Sequence, residues 1–189
     1  DSLCDVVTFG VAPGFLLVKM CPDFTYLYRE TVWIIAATFA ASAALRLARF
    51  NVETDDDSDH LFFSGLPSPA AAASIASFAI MFYTLRRENN ALPWAPQIDS
   101  ALQTVLPFFA LFVALLMVSR IPYPHVVNQI LRGHRSFGHI VRLFFSLMIL
   151  LVMRGYAIPI VCGLFVLGGP VRYVWQELVE RRPHQEPLF

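Results

Sequence analysis

The chain has 189 residues, 57% of them hydrophobic and 15% charged, with zero net charge and a mean hydropathy of +0.58. Soluble domains run at about 45–50% apolar and about 25% charged, so both figures point to a membrane protein. Zero net charge removes the general argument for nucleic-acid binding. The cysteines Cys4, Cys21 and Cys162 lack CxxC spacing, form neither a disulfide framework nor a zinc site, and read as small buried hydrophobes.

Asp1-Ser-Leu-Cys-Asp5 stands at the head of the first apolar run. No basic segment precedes a cleavable apolar stretch, so a signal peptide is not expected, and the chain reads as a fragment whose true N-terminus lies upstream. A helix needs about 20 apolar residues to cross a bilayer. The expected spans are Leu3 to Met20, Thr31 to Leu47, Ser68 to Leu85, and Ala101 to Ser119 with Pro107 as a kink. Two shorter ones, Ile140 to Met153 and Tyr156 to Val171, would form a hairpin through Arg154 and Gly155. The expectation is all-α: a polytopic membrane bundle of about six helices, with residues 1–189 as a single integral-membrane domain. Too little polar surface remains to cover six apolar helices in a soluble protein.

With the Asp1 end placed in the cytoplasm, nine basic residues, among them Arg46, Arg49 and Arg172, lie inside. Lys19, Arg29, Arg86, Arg87 and Arg154 lie outside, a bias in the expected direction. The acidic run Glu53 to Asp59 has no Gly or closing Glu at EF-hand spacing and reads as a solvated loop. Arg120 to His139 mixes arginines, histidines and aliphatic residues, which suits a helix at the headgroup level touching anionic lipid.

Three constellations carry possible chemistry. Asp1 and Asp5, at i, i+4, share one helix face about 6 Å apart along the axis. A helix cap explains one aspartate at the water boundary but not a second a full turn deeper, so the pair points to divalent metal binding or acid/base work. In Arg46-Leu-Ala-Arg49-Phe-Asn51, the two arginines at i, i+3 can fork onto phosphate oxygens, or simply snorkel at a helix end. In Ser64-Gly65-Leu66-Pro67-Ser68-Pro69, Ser68 suits an N-cap with Pro69 at N1. Ala70, Ser74 and Ser77 then make a small-residue packing face. A substrate contact at Ser68 is the other reading. Two-metal phosphoryl chemistry needs ions about 3.5–4 Å apart held by carboxylates, and two aspartates alone are too few.

Taken together and in this order, the three motifs resemble the CDP-alcohol phosphatidyltransferase family, in its serine-accepting branch. The likeness is dense from Asp1 to Ala73 and rests on hydropathy beyond. The family signature reads D-x-x-D-G-x-x-A-R, eight residues, then G-x-x-x-D-x-x-x-D. Asp1 matches its third aspartate and Asp5 its fourth. The first two aspartates, the Gly and Arg of the first half, and the Gly four residues before the third aspartate are absent. The chain is thus expected to lack the signature's first half and two membrane helices of about eight, and to be inactive alone. The resemblance implies transfer of a phosphatidyl group from CDP-diacylglycerol to the hydroxyl of L-serine, releasing CMP, in a homodimer embedded in membrane lipid. It implies two divalent ions, Mg2+ or Mn2+, with Asp1 as ligand and Asp5 as ligand and general base. It also implies a multi-pass protein of the cytoplasmic membrane with its active site facing the cytoplasm. Arg46, Arg49, Asn51 and Ser68 are the candidate substrate contacts. The rivals are a sister transferase accepting glycerol phosphate or inositol phosphate, and a non-catalytic transporter or scaffold.

Overall fold

A computed structural model describes residues 2–22, 30–53, 63–87, 94–119, 121–123, 148 and 154–179. Asp1, the acidic residues 54–60, Arg120, most of the Arg120–His139 segment and nearly all of the expected 140–153 span lie outside the described residues. Among the described residues five helices are long and apolar enough to cross a membrane, and the protein is a multi-pass membrane protein. They are α1 (Ser2–Met20), α2 (Thr31–Glu53), α3 (Ser68–Arg87), α4 (Ala95–Val118) and α5 (Arg154–Val179). A two-residue ladder adds β1 (Phe63–Ser64) antiparallel to β2 (Pro122–Tyr123).

Hydropathy locates every one of these helices but cuts most of them short. The fourth begins at Ala95 rather than Ala101, because Pro96 sits in its first turn, where a missing N–H leaves no bond unmade. Pro107 leaves that helix unbroken from Ala95 to Val118. The second continues past Leu47 through Arg46-Leu-Ala-Arg49-Phe-Asn51, whose polar side chains find partners on other helices. Arg154 and Gly155, expected as a hairpin connection, form the first turn of α5. Gly155 lies so close to α3 that a Cβ there would meet Thr84 Oγ1 at 2.5 Å.

α1 is not uniform. Residues Ser2–Val6 are α-helical, Val7–Val11 form a π-helical turn, and Ala12–Met20 resume the α-helix. π turns are uncommon and recur beside functional residues; here the turn begins two residues after Asp5. From Gly10 in this turn downward α1 meets α2 through small residues. A Cβ on Gly10 would stand 3.1 Å from Ala43 Cβ and 3.3 Å from Ala40 Cα, and one on Gly14 only 3.0 Å from the Ala36 carbonyl oxygen. Small residues four apart on facing helices let backbones approach closely, which is how helices bind where lipid supplies no hydrophobic drive.

The core is shared. Phe39 and Ala43 of α2 pack with Ala110, Val113, Ala114 and Met117 of α4, and Ala71 and Ile75 of α3 complete the cluster. Phe78 and Phe109 join α3 to α4 edge to face, with ring centroids 5.5 Å apart. Trp33, Ile34, Leu45, Leu115, Leu164 and Trp175 face outward. That distribution suits a hydrocarbon solvent.

Proline places one long-range contact. Pro170 inside α5 has no N–H to give to the Val166 carbonyl four residues earlier. The Tyr123 hydroxyl of β2 donates to that carbonyl at 3.0 Å from a fully buried position. Gly169 makes room for the ring, since any Cβ there would strike it. At the bundle's other end, away from Asp5, Arg86 pairs with Asp99 at 3.2 Å and Gln103 Nε2 donates to Asp99 at 2.8 Å, tying α3 to α4.

Candidate active site

Asp5, Val6 and Phe9 of α1, Ala43, Arg46 and Leu47 of α2, and Ser68 and Pro69 of α3 line one open cleft of about 70 Å³. Drug-sized ligand pockets run to about 300–1,000 Å³, so this space is of the size of a small polar group. Three helices that are far apart in sequence thus deliver Asp5, Arg46 and Ser68 to one place.

Each arrives for a local reason. Asp5 is exposed one turn into α1, before the π turn, where carboxylate near a helix N-terminus is favoured. Arg46 reaches across from α2 and donates through Nη1 to Ser68 Oγ at 3.1 Å. Ser68 was expected to cap α3, but the Ala71 N–H bonds to the Pro67 carbonyl at 2.9 Å, which moves the cap to Pro67. The Ser68 hydroxyl is thereby left for Arg46, and its residue is 6% exposed. The N-terminus of a 20-residue helix, with its outward N–H groups and positive dipole end, then lies beside a guanidinium. That corner favours an anion, and a carboxylate stands across from it.

The remaining candidates go elsewhere. Arg49 is absent from the cleft lining; its Nη1 donates to the Val118 carbonyl at the end of α4 at 3.3 Å. Asn51 Nδ2 donates to Ser2 Oγ at 3.2 Å, binding the end of α2 to the head of α1. Asp1 lies outside the described residues. Among the described residues no group of three or more His, Cys, Asp or Glu side chains gathers. Among the described residues Asp5 is the one carboxylate that lines the cleft. Ser74 and Ser77, expected on a packing face, are buried, and their hydroxyls bond to carbonyls of their own helix at 2.7 Å.

Sequence reasoning missed the C-terminal end of α4. Its last carbonyls have no helical partners. The Ser119 N–H bonds to Leu115 O at 3.0 Å, the Leu66 N–H and the Ser119 hydroxyl bond to Leu116 O at 3.1 and 2.8 Å, and Arg49 serves Val118 O. Gly65 joins the same knot, its N–H bonded to Ile121 O at 3.0 Å, with a left-handed φ of +85°. A Cβ there would stand 2.7 Å from the carbonyl oxygens of Met117 and Ser119. The signal was present in Gly65 two residues before Pro67, but its partner lies about fifty residues away.

A membrane bundle thus presents an aspartate, an arginine and a helix N-terminus around one cleft. No family model matches the chain. It is 30% identical over 174 residues to the CDP-diacylglycerol–serine O-phosphatidyltransferase of Methanocaldococcus jannaschii, covering 92% of this chain and 68% of that one. It is 29% identical over 175 residues to the Helicobacter pylori protein of the same name, covering 93% of this chain and 66% of that one. It is 35% identical over 127 residues to the archaetidylserine synthase of Methanothermobacter thermautotrophicus, covering 67% of this chain and 44% of that one. The chain therefore belongs to the CDP-diacylglycerol–serine O-phosphatidyltransferase family. It spans less than two thirds of the length of the last two relatives.

Proposed function

We propose that this chain carries the acceptor side of a phosphatidylserine synthase, which moves the phosphatidyl group of CDP-diacylglycerol to L-serine in phospholipid synthesis. The observation that carries the reading is the convergence of Asp5, Arg46 and Ser68 on one cleft, each from a motif of the family. The serine hydroxyl oxygen forms a bond to the phosphorus bearing diacylglycerol, the bond from that phosphorus to the CMP oxygen breaks, and Asp5 accepts the hydroxyl proton. Arg46 and the α3 N-terminus hold an anionic oxygen, either of the lipid phosphate or of the serine carboxylate.

Hard oxygen donors suit Mg2+ or Mn2+, and Asp5 offers such a donor at the open side of the cleft. Asp5 and Asp1 would hold two ions together with further carboxylates. When bound, these ions neutralise charge on the group being transferred. The positive-inside bias supports a cytoplasmic membrane location with the cleft facing the cytoplasm, and the outward apolar face of α5 leaves room for a homodimer.

The test is CMP release from CDP-diacylglycerol and L-serine by a chain that carries the signature's first half ahead of Asp1. Activity lost in Asp5→Asn supports the general-base role, and full turnover in that variant overturns it. Glycerol phosphate or inositol phosphate outcompeting serine would instead favour a sister transferase.

A further inference from the structure

The stretch Arg46 to Asn51 divides its polar side chains among three helices: Arg46 to α3, Arg49 to α4 and Asn51 to α1. Of these, the Arg49 contact does the least for any ligand and the most for the frame. A snorkelling arginine ends in water. This one ends on a helix C-terminus 69 residues further along the chain, where a cation complements both an orphan carbonyl and the negative end of the dipole.

What hangs on that terminus is the segment that delivers Ser68. Leu66 N–H bonds to Leu116 O, Gly65 N–H to Ile121 O, and Phe63 and Ser64 pair with Tyr123 and Pro122. Leu66 is fully buried. Residues 63–67 therefore have their position set by the end of α4, and α3 begins directly after them at Ser68.

We propose that Arg49 is a positioning residue. By capping α4 at Val118 it fixes the 63–67 segment and so places Ser68 against Arg46 in the cleft, without touching substrate itself. Because Arg49 is not among the residues that line the cleft, its loss acts on the site through the position of Ser68.

The test uses the purified protein in lipid nanodiscs, with Arg49→Gln and Arg49→Lys. The first readout is hydrogen exchange at the Gly65 and Leu66 amides, with the α3 interior around Ile75 as control. Arg49→Gln should speed exchange at these two amides about tenfold or more while the control holds. Arg49→Lys, whose ammonium can still donate to one carbonyl, should keep most of the protection. The second readout rests on the proposed synthase activity. Arg49→Gln should lower kcat with KM for serine and CDP-diacylglycerol within about twofold, and Arg49→Lys should restore kcat. Unchanged exchange in Arg49→Gln, or a raised KM in Arg49→Lys with protection intact, would make Arg49 a substrate contact and overturn the proposal. The activity readout uses the chain that carries the signature's first half ahead of Asp1; the exchange readout needs no substrate, so an inactive wild type there would count against the synthase reading alone.

Discussion

Arg46 and Ser68, 22 positions apart on different helices, are joined by a hydrogen bond of 3.1 Å at the wall of the cleft that Asp5 also lines. A charged donor on a buried hydroxyl is stronger than a neutral pair and leaves a larger penalty when one partner is removed. Arg46→Ala and Ser68→Ala should therefore be non-additive. The double variant is expected to be less destabilised than the sum of the single ones by about 1–2 kcal/mol. Thermal unfolding of the four proteins in one detergent measures this, and strict additivity would mean that the bond carries no energy.

The seam between α1 and α2 predicts a graded response to side-chain size. Gly14→Leu must displace the Ala36 backbone, which lies at 3.0 Å from a bare Cβ, and should cost about 1–3 kcal/mol. Gly163, whose added Cβ would meet nothing within 4 Å, is the internal control. Gly163→Ala should be neutral or stabilising by about 0.5–1 kcal/mol through helix propensity. Equal effects at the two glycines, measured by Tm, would refute the close approach.

Tyr123 should behave as a backbone partner for α5. Tyr123→Phe strands the Val166 carbonyl that Pro170 already leaves without a helical donor, at an expected cost of about 1–3 kcal/mol. Burial also pushes the Tyr123 hydroxyl up from 10.0 to about 12. The folded state thus favours the protonated phenol. This contribution is fully present below pH 10 and is lost as pH rises through about 12. Alkaline titration of stability should show a loss across that window that is smaller in Tyr123→Phe, with the Cys21 thiol supplying part of what remains.

Cys4 and Cys21 should separate by reactivity. Cys21 is buried, and burial raises its thiol from 9.0 to about 12, with Arg86 pulling it down and Asp99 pushing it up. Cys4 is exposed. A maleimide at pH 7.5 should label Cys4 within minutes and leave Cys21 unmodified until the protein is denatured. Mass spectrometry of digested peptides reads the outcome, and prompt labelling of Cys21 would contradict its burial.

Hydropathy and proline placement sufficed for the five helices because each is a long apolar run, and only such runs can satisfy their own backbone in a bilayer. Asp5, Arg46 and Ser68 were legible as candidates because their three motifs occur together and in one order, although a cap or a snorkelling arginine would explain each alone. Their meeting in one cleft was not legible, since it depends on how α1, α2 and α3 cross. Arg49 and Asn51 read equally well as ligand contacts from sequence, and only their partners, Val118 O and Ser2 Oγ, set them apart. The role of Tyr123 was hidden for the same reason. Pro170 announces an orphan carbonyl, but nothing local names a donor 43 residues earlier.

The π turn at Val7–Val11 separates two tasks along one helix. Above it Asp5 addresses the cleft; Gly10 within it and Gly14 below it grip α2. One residue more or less in an α-helix turns everything beyond it by about 100°. Removing a single residue from that turn would therefore swing Asp5 away from the cleft, and Ser2 away from Asn51, while Gly14 stayed against Ala36. The helix can be re-phased by one codon, so the direction in which Asp5 points can change in this fold while the Gly14 seam keeps its packing.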